Sequence, residues 1–189
     1  MIKSKKDLKE YIKTDCSVYG INKSYIYIMY LFKRERYVVI YYLRILRKLE
    51  YYINCNKKIR KIWFYLKLWR LQSKYNIKIW PNSCGKGLKI PHLVPILINA
   101  GAKCGDFLTM NAYSAIVISG TDGNYSATIG NHCLIGTGAK IIGPITIGDY
   151  TVIAANATVT KDFTEGNYTI GGTPAKVISN HSAKDAEIY

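Results

Sequence analysis

Residues 127–159 read ATIGNHCLIGTGAKIIGPITIGDYTVIAANATV. Counting in sixes from Ile129 lands on Ile135, Ile141, Ile147, Ile153 and Val159, an unbroken series of branched apolar side chains. Two places before each guide residue stand Ala127, Cys133, Ala139, Ile145, Thr151 and Ala157, most of them small. Gly130, Gly136, Gly148 and Ala154 follow four of the guides. An α-helix repeats at about 3.6 residues and a half-buried strand at about 2. A period of six marks a parallel β-helix, in which each hexad is one short strand and one turn.

Traced backward, the same phase runs through Ile116, Met110, Cys104 and Ile98, with Ser114, Leu108, Ala102 and Ile96 two places before them. The step from Ile116 to Ile129 is one residue longer than two hexads, and the excess falls in Ser119–Ser126, SGTDGNYS. Turn formers crowd this segment, so a loop leaves the coil there, and loops on a repeat scaffold are where function concentrates. Ile77–Pro81, IKIWP, is the expected start of the β-helix. The repeat fades after Val159, Thr169–Ser179 adds a last extended piece, and the final ten residues are expected to be mobile.

Charge divides the chain at the same place. Residues 1–80 hold 20 Lys and Arg against 5 Asp and Glu, whereas residues 81–189 hold 7 of each, so the whole net charge of +15 lies in the first part. That part is expected to be helical. Ser4 precedes Asp7 and an apolar set ending at Gly20, the pattern of a capped short helix. Apolar and aromatic residues then dominate to about Ile53, and Asn54–Cys55–Asn56 interrupts them. A further helix to about Tyr75 shows Ile59, Ile62, Leu66 and Trp69 on one stripe and Lys67, Arg70 and Lys74 on another. The expected organisation is an α-helical cap over residues 1–76, a β-helix of about five coils over 77–177, and a tail over 178–189. The basic helices admit three readings: a solvated surface whose apolar stripe packs on the repeat domain or a partner subunit, contact with an anionic membrane, or nucleic-acid binding. No nucleic-acid motif accompanies the charge, so no nucleic-acid partner is expected.

The five cysteines have no CxxC spacing, and Cys104 and Cys133 stand at inward hexad positions, where a thiol is a small apolar filler. With no signal-peptide pattern, a cytoplasmic protein is expected, placed at the inner membrane face if the basic helices bind there. The longest apolar runs fall far short of the roughly 18–20 residues that span a bilayer. The three histidines lie far apart and no Cys/His cluster has ligand spacing, so no metal is expected.

The array ending IGTGAKIIGPITIGDYTVIAANATVTKD, followed by GGTPAKVI, is similar to the bacterial hexapeptide-repeat acyltransferases, and within them to the serine O-acetyltransferase branch. The likeness covers about Ile77–Val177. It implies a left-handed coil of triangular section, a homotrimer or a dimer of trimers, and acetyl-CoA as co-substrate in the groove between neighbouring β-helices. A coil this short leaves flat faces and open ends, which favours oligomers on physical grounds as well. Gly87–His92, GLKIPH, matches the segment with the branch's catalytic histidine, so the resemblance makes His92 the general base. It also implies CoA contacts at Ser119, Gly120, Gly138 and Ala139, whose amides would face the pantetheine arm and thioester, and at Gly171, Gly172 and Pro174. Lys161 and Lys176 would meet CoA phosphates. His132 and His181 are expected to be structural or surface residues.

Departures from the branch concern the acceptor. Pro91 stands where serine-specific members have an aspartate, and Lys78 where they have a second. Their Arg-His pair in the projecting loop aligns with Tyr125 and Ser126. A carboxylate would orient the imidazole and an arginine would clamp a substrate carboxylate. Asp106, Asp122 or a residue of the cap is left to substitute. The expected function is therefore an acetyl-CoA-dependent O-acetyltransferase acting on a sugar hydroxyl of a surface-polysaccharide precursor. The alternatives are an L-serine O-acetyltransferase of cysteine biosynthesis and a non-catalytic β-helical scaffold.

Overall fold

The computed structural model describes residues 1–21, 30–32, 34–119 and 126–185. Among the described residues three long helices precede the strands: α1 (Lys5–Ser17), α2 (Glu35–Asn54) and α3 (Lys58–Tyr75). Ser4 caps α1 through a reciprocal pair, its hydroxyl accepting from the Asp7 N–H while the Asp7 carboxylate accepts from the Ser4 N–H. Asn76, in the left-handed conformation, ends α3, and β1 (Ile77–Ile79) begins at once.

Thirteen short strands follow among the described residues. β1, β2 (Ile96–Ile98), β5 (Ala115–Val117), β8 (Lys140–Ile142) and β11 (Thr158–Val159) stack in parallel as one face, called here the first face. The second face holds β3 (Lys103–Cys104), β6 (Thr128–Ile129) and β9 (Thr146–Ile147). The third holds β4 (Thr109–Met110), β7 (Leu134–Ile135), β10 (Val152–Ile153) and β12 (Thr169–Gly171), with β13 (Lys176–Ser179) antiparallel at its end. Three parallel sheets make a triangular prism of five levels, a parallel β-helix.

The hexad guides supply its interior. Successive guides turn from face to face, so that Ile79, Ile98, Ile116, Ile141 and Val159 stack inside the first face, and Met110, Ile135, Ile153 and Ile170 inside the third. All are buried, as are Cys104 and Cys133. At one edge Phe107, His132, Tyr150 and Asn167 take positive φ, near +57°. The ring of His132 lies 4.8 Å from those of both Phe107 and Tyr150, so a stacked column accompanies this unfavourable backbone.

Two expectations change. The apolar stripe of α3 does not pack on the coil: Phe64, Leu68 and Leu71 are the buried face, and Ile59, Ile62, Leu66 and Trp69 point outward. The helix has two apolar faces, and the covered one packs chiefly on α2, with the Phe64 ring 5.1 Å from that of Tyr52. Nor is the tail loose through Asp185. Ala183 is buried with its N–H on the Tyr150 carbonyl, and Lys184 lies over the Tyr150 ring.

Candidate active site

His92 stands in the turn between Lys89, which bridges to Thr109, and β2. Leu88 and Ile90 are buried in the coil, whereas the His92 side chain is 65% exposed. Gly87 has φ +77°, and a Cβ there would lie 2.5 Å from the Phe107 ring, so glycine is required for this approach.

The helical region grips this segment at three points. Asp15, in α1, accepts from the Gly87 N–H at 2.7 Å and the Leu88 N–H at 3.2 Å. The Tyr19 hydroxyl accepts from the Ile90 N–H at 2.6 Å and donates to the Ile90 carbonyl at 3.2 Å. Glu35, in the first turn of α2, accepts from the Leu93 N–H through Oε1, and the same oxygen lies 3.8 Å from His92 Nδ1. Burial pushes the Tyr19 phenol well above its ordinary range, so it stays a neutral donor and acceptor.

Arg47 secures the grip from behind. It is fully buried, donating from Nε to Asp15 Oδ2 at 2.8 Å and from one Nη to Glu50 Oε2 at 3.1 Å. Its guanidinium also donates to the Cys84 and Gly85 carbonyls. Burial raises Glu50 above the usual carboxylate range, an effect Arg47 and the Asn82 N–H oppose.

Ladder hydrogen bonds order the edge before the first face. The Tyr113 N–H donates to Pro95, Gly138 to Ala112 and Asn156 to Thr137. His92 and Gly138 thus share one edge, two coils apart. Ser119 and Lys161 follow β5 and β11 at the opposite edge, where Gly143 N–H donates to Val117. Gly172 accepts from the Thr158 N–H and Ala175 donates to the Thr158 carbonyl, so Gly171–Ala175 closes the bottom of the same face. Between the edges run the outward residues Lys78, Leu97, Ala115, Lys140 and Thr158, in register. A cleft of about 620 Å³ opens over the upper part, between this face and the end of α3, with Trp69, Gln72, Lys78, Pro95, Tyr113 and Lys140 among its walls.

The fold therefore gathers His92, Ser119, Gly138, Lys161 and Gly171–Pro174 around one face. Other residues stand differently. Gly120, Asp122 and Tyr125 lie outside the described residues. The Ser126 Oγ is buried without a hydrogen-bond partner among the described residues. The amides of Gly138 and Ala139 donate to Ala112 and Gly136, so neither is an open donor to a thioester, and Ala139 is wholly buried. Lys161 Nζ lies 5.5 Å over the Phe163 ring. Gly171 is buried, whereas Gly172, Pro174 and Lys176 are exposed. Asp106 does not serve His92: its side chain accepts from the Lys86 N–H. Among the described residues the carboxylate that approaches His92 is Glu35. It is 57 positions away in the chain, and no local signal marks it.

Residues 126–161 match the family described as bacterial transferase hexapeptide (six repeats). No curated protein matches the chain in sequence. Among solved structures, serine acetyltransferase from Brucella abortus strain S19 is similar with a TM-score of 0.73 at 21% identity, over 95% of this chain and 72% of that one. The same enzyme in complex with coenzyme A is similar with a TM-score of 0.72 at 21% identity, over 94% and 70%. Soybean serine acetyltransferase complexed with serine is similar with a TM-score of 0.73 at 19% identity, over 90% and 69%. The chain thus has the fold of the serine acetyltransferases, a left-handed parallel β-helix behind a helical region, and residues 126–161 carry the hexapeptide repeat.

Proposed function

We propose that this protein transfers acetyl from acetyl-CoA to a hydroxyl, with His92 as general base. One observation carries the reading. Over nearly the whole chain the fold is that of serine acetyltransferases, one of them solved with coenzyme A, and His92 is exposed at the edge of the face where the candidate CoA residues gather. Glu35, facing Nδ1, favours the Nδ1–H tautomer and leaves Nε2 to accept a proton. The separation of 3.8 Å exceeds a hydrogen bond and would tighten on substrate binding. As the acceptor oxygen attacks the thioester carbonyl, its proton passes to Nε2. Collapse of the tetrahedral intermediate breaks the C–S bond, and the CoA thiolate takes that proton back. Acetyl-CoA is the only co-substrate this scheme needs, and no step calls on a metal.

L-Serine is the acceptor that the structural likeness supports, since one of the similar enzymes is complexed with serine. A second reading, a sugar hydroxyl of a surface-polysaccharide precursor, is favoured by the residues that differ. Lys78, Pro91, Tyr125 and Ser126 stand where the resemblance calls for two carboxylates and an Arg-His pair. The outward face of the coil suits packing against two further copies, so a homotrimer belongs to the proposal, with one domain ending near Asn76 and the catalytic one following. The test is thiol release from acetyl-CoA with L-serine and with a panel of sugars and nucleotide sugars. Saturable turnover of one class, lost in His92→Ala, names the acceptor. A protein that neither binds acetyl-CoA nor releases thiol with any acceptor would be a scaffold, and the proposal would fall.

A further inference from the structure

Helix α3 presents its second apolar face to the outside. Ile59, Ile62, Leu66 and Trp69, at three- and four-residue spacing, are 86%, 61%, 54% and 58% exposed. Phe64, Leu68 and Leu71 occupy the opposite side and are buried, so this exposure is not an error of phase. Cations border the outward stripe on both sides: Lys58 and Lys61 on one, Lys67, Arg70 and Lys74 on the other. No Asp or Glu occurs between Lys57 and Tyr75. Among the described residues none of these cations has a carboxylate partner, the ion pairs being made by Arg47, Lys86 and His92.

We infer that this face of α3 seats the protein on an anionic lipid surface, the helix lying in the interfacial plane. No helix among the described residues is long and apolar enough to cross a membrane, so contact is peripheral. An apolar stripe flanked by lysine and arginine, ending in Trp69 and with Trp63 and Tyr65 beside it, is what an in-plane helix presents to headgroups and upper acyl chains. The charge argues against a second copy as occupant. Pairing α3 with itself sets cations against cations, and only 12 Asp and Glu exist in the chain, two of them, Asp15 and Glu50, buried. A nucleic acid would accept the cations but leave Ile59, Ile62 and Leu66 in water. This inference does not rest on acetyl transfer, and its test needs no turnover.

The experiment is flotation of the full chain with phosphatidylcholine vesicles, with and without phosphatidylglycerol. Binding is expected only with phosphatidylglycerol, and is expected to weaken as salt rises. Replacing Lys67, Arg70 and Lys74 together with Gln should weaken partitioning on the order of a hundredfold. Ile62→Ser with Leu66→Ser, which leaves every charge in place, should weaken it by at least about tenfold. Ile62, Leu66, Arg70 and Lys74 are exposed and Lys67 is half-buried with its Nζ 3.6 Å over the Trp63 ring, and unchanged thermal unfolding shows that the variants fold. Equal binding to both vesicle types, no binding to either, or a serine pair that changes oligomeric mass while leaving flotation intact would overturn the inference. So would a nucleic-acid affinity that the glutamine set abolishes in a chain that never floats.

Discussion

Arg47 tests the link between the helical region and the coil. In Arg47→Met the side chain keeps much of its length but loses every donor. Asp15 and Glu50 are each about 2% exposed and would face one another without a counter-charge. The Cys84 and Gly85 carbonyls would lose their donor too. Removing one member of a buried ion pair costs about 3–5 kcal/mol, because a buried charge is left uncompensated. For a chain of this size each kcal/mol is worth roughly 2–4 °C, so the midpoint should fall by roughly 6–20 °C. Thermal unfolding at fixed protein concentration measures it. The control is Asp15→Asn/Arg47→Met/Glu50→Gln. It removes all three charges but keeps acceptors for the Gly87, Leu88 and Asn82 N–H groups. That variant should regain at least half of the loss. If Arg47→Met costs less than about 1 kcal/mol, or the triple variant is no better, the cost is packing and the electrostatic argument is wrong.

The pH dependence adds a second check on the same variant. Glu50 has a raised folded-state pKa, so burial favours its neutral form. A raised carboxyl contributes stability that is whole below the unfolded value of about 4.3 and is lost as pH rises through the folded one. Arg47 opposes the rise, and without it Glu50 moves further up. The stability deficit of Arg47→Met should therefore be least near pH 4 and widen toward pH 8. A deficit constant across that range would refute the assignment to charge.

Three further outcomes are expected. Tyr19→Phe removes both bonds to Ile90 and should cost about 1–3 kcal/mol in thermal or denaturant unfolding, since buried backbone groups are left unpaired. Glu35→Gln should lower kcat roughly 10- to 100-fold with little change in KM or melting temperature, as a positioning residue would; a change in KM alone would assign Glu35 to substrate binding. Cys133, whose thiol burial pushes up to about 12, should resist alkylation at neutral pH until the coil unfolds, while the part-exposed Cys55 labels first in a mass-spectrometric time course.

The coil was legible because its interior column is a run of apolar residues at one fixed interval, and each guide from Ile129 to Val159 lies on the inside of a strand. The start of α1 was legible because Ser4 and Asp7 cap within one turn. The direction of α3 was not. Ile59, Ile62, Leu66 and Trp69 have the same spacing as a buried stripe, and periodicity reports a face without saying what covers it. Glu35 was illegible for another reason: its meeting with His92 depends on how α2 docks, which no short motif encodes. Asp15 and Tyr19 carry no local signal because their partners Gly87 and Ile90 lie 72 and 71 positions on, and the packed tail escaped because its contacts run to Tyr150.

Asp15, Tyr19 and Glu35 belong to one physical arrangement. Pro91 brings neither a carboxylate nor an N–H to the turn that presents His92. What the turn lacks locally, the helices supply from outside: Asp15 before it, Tyr19 within it, Glu35 after it. Asp15 can hold Gly87 and Leu88 only while its charge is balanced, and Arg47 balances it while also donating to Cys84 and Gly85 of the same coil. The ion pair that docks α1 and α2 thus also sets the height of His92 against Glu35. Under the proposed mechanism His92 is the base, and a base on a bare coil would keep its place however the helices moved. Here it would not, so loosening the helical region should cost acetyl transfer at temperatures where the hexad core, with its own continuous apolar column, remains folded.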